Sequence, residues 1–149
     1  MKIRAYSTTD FDEWLRMRVL LWPEILAAGE DAAADAREWL EREDACVIVS
    51  ERENGTGLCG FAEVGEREYA DGCSTAPVAY VEGWYVDTDA RRQSVGRELV
   101  AASEEWARHR GYRELASDAL IENVVSQKAH EASGFVEVER AVRYRKSLA

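Results

Sequence analysis

Nine residues near the middle of the chain, RRQSVGREL at 91 to 99, have the composition of a phosphate-binding turn. Two arginines and a polar pair precede a small residue that opens an apolar, helix-like run. The first turn of a helix presents unpaired backbone N–H groups and the positive end of the helix dipole, and both favour an anion. These features predict a diphosphate site. Its candidate residues are Arg91, Arg92, Gln93, Ser94, Val95, Gly96 and Arg97.

Ser94 stands where most turns of this kind carry glycine. A serine donates the same backbone N–H as a glycine does, and a helical φ would impose no steric penalty on its side chain. We therefore expect an anion site that tolerates the serine, with no steric cost if its φ is helical.

Three carboxylates interrupt or end apolar strand-like runs. Glu82 lies inside VAYVEGWYVD, Asp118 ends YRELASDA, and Glu139 lies inside FVEVERAVRYRKSL. A charge within a strand is costly unless it is paired. Each of these carboxylates therefore needs a cationic partner or solvent, and structural salt bridges or solvent-facing alternation would meet that need.

The elements that must position these residues alternate between strands and helices. Gly83 suits a bulge in its strand, and Gly111 and Gly134 suit helix ends. The pattern predicts an α/β fold around one mixed, mostly antiparallel sheet of six to seven strands flanked by about four helices. The predicted strands are KIRAY, ACVIVSERE, LCGFAEVGE, VAYVEGWYVD and YRELASDA, followed by a closing pair or one bent strand in FVEVERAVRYRKSL. The predicted helices are DFDEWLRMRVLLW, DAAADAREWLERED, SVGRELVAASEEWARHRG and IENVVSQKAHEAS.

Length, charge and cysteine content narrow the class of protein. A chain of 149 residues suits a single domain over 1–149, and a formal net charge of −10 argues against a nucleic-acid partner. No apolar run is long enough to span a membrane and no signal peptide is evident, so we expect a cytoplasmic protein. Three cysteines without a C-x-x-C spacing and two histidines predict reduced thiols and no metal site.

The motifs together resemble the GNAT family of acyl-CoA-dependent N-acetyltransferases. The turn at 91 to 96 fits that family's acceptor loop except at Ser94, and SDALIENVVSQKAHEASGF is similar to the family's second half. Within the family, the chain is most similar to aminoglycoside 6′-N-acetyltransferases. The motifs that carry this likeness are LLWP at 20 to 23, VEGWYV at 81 to 86, ASD at 116 to 118, and SQKAHEASGF with VER at 126 to 140.

The resemblance implies a set of site residues. It implies that Asn123 meets the pantetheine arm of acetyl-CoA and that the backbone of Trp84, Tyr85 and Val86 lies along the thioester. It also implies that the aminoglycoside contacts Trp22, Tyr69, Glu82, Asp118 and Glu139.

The resemblance implies direct transfer, in which the neutral 6′-amine attacks the thioester and no acyl-enzyme forms. Glu82 and Asp118 are the candidates for accepting or relaying a proton. His130 stands where many family members carry a tyrosine thought to protonate the departing thiolate, and the alternative is an ordinary helix residue.

Two other functions stay open at this stage. One is acetylation of another amine, such as a polyamine or a protein N-terminus. The other is a non-catalytic acyl-CoA-binding module. The family resemblance and the apolar final strands also predict a homodimer.

Overall fold

A central five-stranded sheet organises the chain, which the computed structural model describes from Met1 to Ala149. The strands lie in sequence order; the first four are antiparallel, and β5 runs parallel to β4. The mixed, mostly antiparallel architecture is as predicted, with five strands instead of six to seven. The strands are β1 (Lys2–Ala5), β2 (Ala45–Glu51), β3 (Leu58–Arg67), β4 (Val78–Val86) and β5 (Leu115–Ser117).

Five α-helices connect and cover the strands, together with two short 3-10 turns at Thr8–Asp10 and Thr88–Ala90. None of the helices combines the length and the apolar composition needed to cross a bilayer. Asp31 caps the third helix by accepting from the N–H groups of Ala33 and Ala34 at 3.1 Å each. The helices are α1 (Phe11–Leu21), α2 (Glu24–Ala27), α3 (Ala32–Glu41), α4 (Val95–His109) and α5 (Val124–Ala132).

The core lies on both faces of the sheet because the strands alternate their side chains between the two sides. On β2, Ile48 packs into the cluster that includes Leu99 of α4, whereas Val47 and Val49 pack into the cluster that includes Trp14 of α1. Burial of these apolar faces holds α4 on one side of the sheet and α1 with α3 on the other.

The last segment of the chain differs from the sequence prediction. Residues 136 to 149 contain no helix or strand, although their alternating pattern suits a strand. A strand needs a hydrogen-bonding neighbour, and β5, only three residues long, pairs along one edge with β4 alone. The apolar side chains of this segment are exposed, among them Val136, Val142, Tyr144 and Leu148.

Candidate active site

The strands β4 and β5 separate partway along their length. Pairing joins Ala79, Tyr80 and Val81 to Leu115, Ala116 and Ser117, whereas β4 continues to Val86 with no partner on that side. The gap exposes one edge of β4 at the point where the sequence places Glu82. A cleft of this kind leaves main-chain groups available to a ligand.

A β-bulge at Glu82 shapes this part of β4. Glu63 pairs with Gly83 and Val64 pairs with Val81, so Glu82 is the extra residue on β4. A Cβ atom at Gly83 would lie 2.6 Å from Cη2 of Trp22. The bulge predicted from Gly83 is present, and glycine is needed there because the Trp22 ring packs directly on the backbone.

The register of β3 and β4 fixes the direction of the free backbone groups. The N–H of Asp87 donates to the carbonyl of Cys59 at 2.7 Å, so alternate residues of β4 face β3 and the others face away. Trp84 and Val86 belong to the second set, and the Val86 carbonyl accepts from Nε of Arg91 at 2.9 Å. The N–H groups of Trp84 and Val86 therefore point into the gap between β4 and β5.

The turn before α4 has an unusual backbone. Arg92 and Ser94 both have positive φ angles, 63° and 67°, and Ser94 is the N-cap of α4 in the left-handed conformation. The φ of Ser94 is therefore not helical, so the condition under which its side chain meets no steric penalty is not fulfilled. The turn reverses the chain between the 3-10 turn and α4, and this geometry is one that glycine adopts at less cost.

Positive charge surrounds the N-terminus of α4. Arg92 and Arg97 are exposed and form no ion pair, and Arg91 lies 5.8 Å from the centroid of the Tyr85 ring. The N–H groups of the first turn of α4 are free of intrahelical partners. This arrangement suits an anion with two phosphate groups, as the sequence predicts.

Asp87 anchors the start of this turn to the body of the protein. Its carboxylate accepts from the guanidinium groups of Arg16 on α1, at 2.8 and 3.1 Å, and Arg52, at 2.9 Å. Burial alone would raise the pKa of Asp87, but the two arginines hold that pKa below its ordinary value. Ion pairs therefore fix the turn to both α1 and the end of β2.

Close packing joins the turn to β4. The indole Nε1 of Trp84 donates to the carbonyl of Gly96 at 3.1 Å, and a Cβ atom at Gly96 would lie 3.3 Å from the Trp84 ring. The first turn of α4 therefore lies directly over β4 beside the gap.

Glu82, at the bulge, and Asp118, directly after β5, belong to one polar cluster. The guanidinium of Arg67 bonds the carboxylate of Glu82 and lies 3.5 Å from the centroid of the Tyr80 ring. The Tyr80 hydroxyl in turn donates to Asp118 at 2.5 Å. Burial, followed by this hydrogen bond, raises the pKa of Tyr80, so the phenol stays protonated as a donor.

A buried ion pair between Arg18 and Glu63 packs against the Trp22 ring. The guanidinium of Arg18 lies 4.9 Å from the Trp22 centroid, and its Nε donates to Glu63 at 2.5 Å. Trp14 also donates to Glu63, at 3.1 Å, and Asp35 accepts from Arg18 at 2.8 Å. Burial raises the pKa of Glu63 despite the hydrogen bond from Arg18. The network fixes the orientation of Trp22 beside the bulge.

Two of the predicted substrate residues lie at the periphery. Tyr69 is exposed in the loop that follows β3, and Glu139 is exposed in the final segment. Val138, the neighbour of Glu139, packs against Gly72 of the same loop as Tyr69. The final segment therefore crosses this loop, and no direct contact joins Tyr69 or Glu139 to Glu82.

Asn123 and His130 have structural partners on α5 and β5. Asn123 caps this helix by accepting from the N–H of Ser126 at 3.1 Å. His130 Nε2 lies 2.8 Å from the Ser117 hydroxyl, and Nδ1 lies 2.7 Å from the Ser126 carbonyl. Since the carbonyl can only accept, Nδ1 carries a proton, and in the neutral ring Nε2 accepts from Ser117. This tautomer leaves no proton on Nε2 for a leaving group.

Sequence reasoning missed the cations that contact Glu82 and Trp22. Arg67 ends β3 and Arg18 lies on α1, and neither stands in a motif that marks it as part of a site. The available signal was the need of a strand carboxylate for a partner, which predicts a cation near Glu82 without saying which one.

The open gap between β4 and β5, beside a helix N-terminus rich in arginine, suits an acyltransferase whose donor carries phosphate groups. The chain belongs to the acetyltransferase (GNAT) family, whose sequence profile matches residues 14–135.

Several similar proteins are named aminoglycoside acetyltransferases. The chain is 42% identical to aminoglycoside N(6′)-acetyltransferase type 1 of Klebsiella aerogenes, over 98% of this chain and 96% of the relative. It is 38% identical to the enzyme of the same name from Salmonella typhimurium strain LT2, over 98% and 99% of the two chains. Among solved structures, AAC(6′)-Iy in complex with the bisubstrate analogue CoA-S-monomethyl-acetylneamine superposes with a TM-score of 0.88 at 35% identity, covering 98% of this chain and 97% of that one.

Proposed function

We propose that this chain is an aminoglycoside 6′-N-acetyltransferase, working as a single acetyltransferase domain over residues 1–149 in the cytoplasm. The observation that carries the proposal is the position of Glu82 and Asp118 on one side of the β4–β5 gap, with the arginine-rich turn before α4 beside it. An anionic co-substrate and a cationic acceptor would then meet at the gap. The relatives named above support this choice of substrates. Three free cysteines suit a reducing compartment.

Acetyl-CoA fits the turn and the gap as the donor. Its diphosphate would lie on the first turn of α4 with Arg92 and Arg97 beside it, and Gln93 and Val95 contribute main-chain N–H groups to the same turn. The pantetheine arm would follow the open edge of β4 toward the bulge, with the free Nδ2 of Asn123 on the far side. The N–H groups of Trp84 and Val86 would then be available to the thioester carbonyl.

The reaction is direct transfer between two bound substrates. The lone pair of the neutral 6′-amine attacks the thioester carbon, the C–N bond forms, and the C–S bond breaks as coenzyme A leaves as a thiolate. The nitrogen loses one proton and the thiolate gains one, so protons balance overall. Glu82 and Asp118 would bind the amine as a cation and accept or relay its proton. Holding both reactants replaces a bimolecular encounter and supplies much of the rate.

His130 is the side-chain candidate for protonating the thiolate. In the neutral ring its Nε2 accepts from Ser117, so it carries no proton to give. Water is therefore the simpler donor.

Carboxamide variants test the acceptor assignment. Asp118→Asn and Glu82→Gln keep shape but remove one negative charge each. We expect each to lose about 1.5 to 3 kcal/mol of transition-state stabilisation with tobramycin, the range for a hydrogen bond to a charged group. The measurement is thiol release from acetyl-CoA, and acetyl-CoA affinity should stay unchanged.

Glu104→Gln is the matched control, since it removes a carboxylate from an exposed pair with Arg108 on α4. It should leave kcat/KM unchanged. An aminoglycoside with a hydroxyl in place of the 6′-amine should release no thiol. Parent-like rates for both carboxamide variants would contradict the aminoglycoside assignment and favour a neutral or peptide acceptor.

We infer that the chain acts as a homodimer. The final segment carries a strand-like alternation without a neighbouring strand, and its apolar side chains are exposed. A second copy of the chain, with the same unpaired segment and the same short β5 edge, is the partner that can pair with it symmetrically.

A further inference from the structure

Arg67 occupies the place where a substrate cation would bind. Its guanidinium bonds both carboxylate oxygens of Glu82, with the second at 3.0 Å, and lies flat against Tyr80. The hydroxyl of Tyr80 is bound to Asp118. One internal cation therefore lies within the cluster that contains both acceptor carboxylates.

We propose that Arg67 is a specificity-determining residue, a built-in cation that holds Glu82 until the acceptor's ammonium group replaces it. This inference rests on the proposed function. It goes further by saying which amines the site rejects: those with a single positive charge.

Charge counting gives the reason for this selectivity. Glu82 and Asp118 carry two negative charges between them, and Arg67 offsets one. An acceptor with one ammonium group exchanges one ion pair for another at Glu82 and gains little. A polyamine makes the same exchange and brings further ammonium groups to Asp118 and the acidic surface. Arg67 thus lowers the affinity of monoamines more than that of polycations.

The position of Arg67 suits this exchange. It is the last residue of β3, and 45% of its side chain is exposed, against 24% for Glu82. No other carboxylate bonds its guanidinium. On leaving Glu82, the guanidinium nitrogens can regain water while the guanidinium carbon stays over the Tyr80 ring. The cost of release is that of a partly exposed ion pair.

The experiment compares Arg67→Gln with Arg67→Lys. Arg67→Gln removes the charge, and Arg67→Lys keeps it. Acceptors are tobramycin and 6-amino-6-deoxyglucose, which has the same reacting group and one charge. For Arg67→Gln, we expect kcat/KM of the monoamine to rise by up to about fivefold and that of tobramycin to change by less than about twofold, the scale of a partly exposed pair. Arg67→Lys should keep the parent's ratio of the two substrates.

Arg108→Gln is the charge-matched control, because it removes a cation from exposed pairs on α4. It should leave the ratio unchanged. A higher KM or lower kcat for tobramycin in Arg67→Gln, restored by lysine, would overturn the inference and make Arg67 a support for Glu82. An unchanged ratio would overturn it as well.

Calorimetry separates this inference from the proposed function. If the parent fails to acetylate tobramycin, the proposed function fails. Binding of tobramycin and the monoamine to the parent and to Arg67→Gln still decides the role of Arg67, since a competing cation lowers monoamine affinity whether or not transfer follows. Equal monoamine affinity in the two proteins would contradict the inference.

Discussion

At the scale of single residues, the turn before α4 places two side chains on backbone that favours glycine. Arg92 and Ser94 have φ angles near +65°, and a left-handed conformation costs a residue with a Cβ atom about 1 to 2 kcal/mol. The turn keeps this geometry because Asp87 fixes one end and the packing of Gly96 on Trp84 fixes the other. Strain of this kind is common where a backbone must present its N–H groups to a ligand.

Ser94→Gly should therefore stabilise the protein. We expect the free energy of unfolding to rise by about 0.5 to 1 kcal/mol, because relief of the left-handed backbone outweighs the added freedom of glycine in the unfolded chain. Chemical denaturation measures the change. Acetyl-CoA affinity should change less than about tenfold, or roughly 1.4 kcal/mol, because the N–H donor stays in place.

Ser133→Gly is the matched control, since Ser133 ends α5 with a φ of −95°. It gains nothing from glycine and should lower stability or leave it unchanged. Equal stabilisation by both substitutions would show that relief of the φ angle at Ser94 is not the cause.

At the scale of elements, the bulge in β4 joins the sheet to the acceptor region. It turns Glu82 out of the regular alternation, and it brings the Gly83 backbone against Trp22. The Trp22 ring rests on Arg18 below and meets Phe61 edge-on, with centroids 6.4 Å apart. The ring has little room to move.

Gly83→Ala tests this contact. The new Cβ would lie 2.6 Å from Trp22 and 3.3 Å from Phe61, so the indole must shift. We expect stability to fall by about 1 to 3 kcal/mol, the usual cost of overpacking. KM for tobramycin should rise while acetyl-CoA affinity, measured by calorimetry, stays near that of the parent.

Gly65→Ala is the control on the neighbouring strand, because its Cβ would lie 2.9 Å from the end of the partly exposed Arg42 side chain rather than against Trp22. Arg42 pairs with Asp44, so stability can fall, but KM for tobramycin should stay that of the parent. If Gly83→Ala binds tobramycin like the parent, then Trp22 does not contact the acceptor.

The sequence predicts those elements whose signals are local. Gly83 marks the bulge, Gly111 and Gly134 mark helix ends, with φ angles of 84° and 93°, and the alternation of VAYVEGWYVD marks β4. The contact of Arg67 with Glu82 joins residues that are distant in sequence, and no spacing rule encodes it. The left-handed Ser94 is hidden for another reason, because serine seldom adopts that backbone and only the anchored ends of the turn impose it.

At the scale of the whole molecule, the final segment, residues 136 to 149, is the part that pairs with no strand of the chain. Its pattern predicts a strand, yet Tyr144 is 91% exposed and β5 offers only three residues. A strand is stabilised by the strands that pair with it on either side. The sequence of one chain can predict that pairing only when the neighbouring strands belong to the same chain.

Val142→Lys combined with Tyr144→Lys should convert a dimer into a monomer. Lysines in the paired segment of two symmetric copies repel each other and remove the apolar contact. Size-exclusion chromatography with light scattering measures the mass. Leu26→Lys, at an exposed apolar position on α2, is the control and should leave the dimer intact. A monomeric parent at tens of micromolar would contradict the homodimer.

The first helix holds both halves of the site. Arg16 of α1 binds Asp87 at the start of the anion-binding turn, and Arg18 of the same helix supports Trp22 on the acceptor side. Residues two positions apart in an α-helix, such as Arg16 and Arg18, are separated by about 3 Å along its axis, and this separation is more constant than that of two residues in a loop. A misplacement of about 1 Å between reacting groups can cost a hundredfold in rate. In the proposed reaction, the fixed spacing along α1 would therefore keep the bound amine close to the thioester and their effective molarity high.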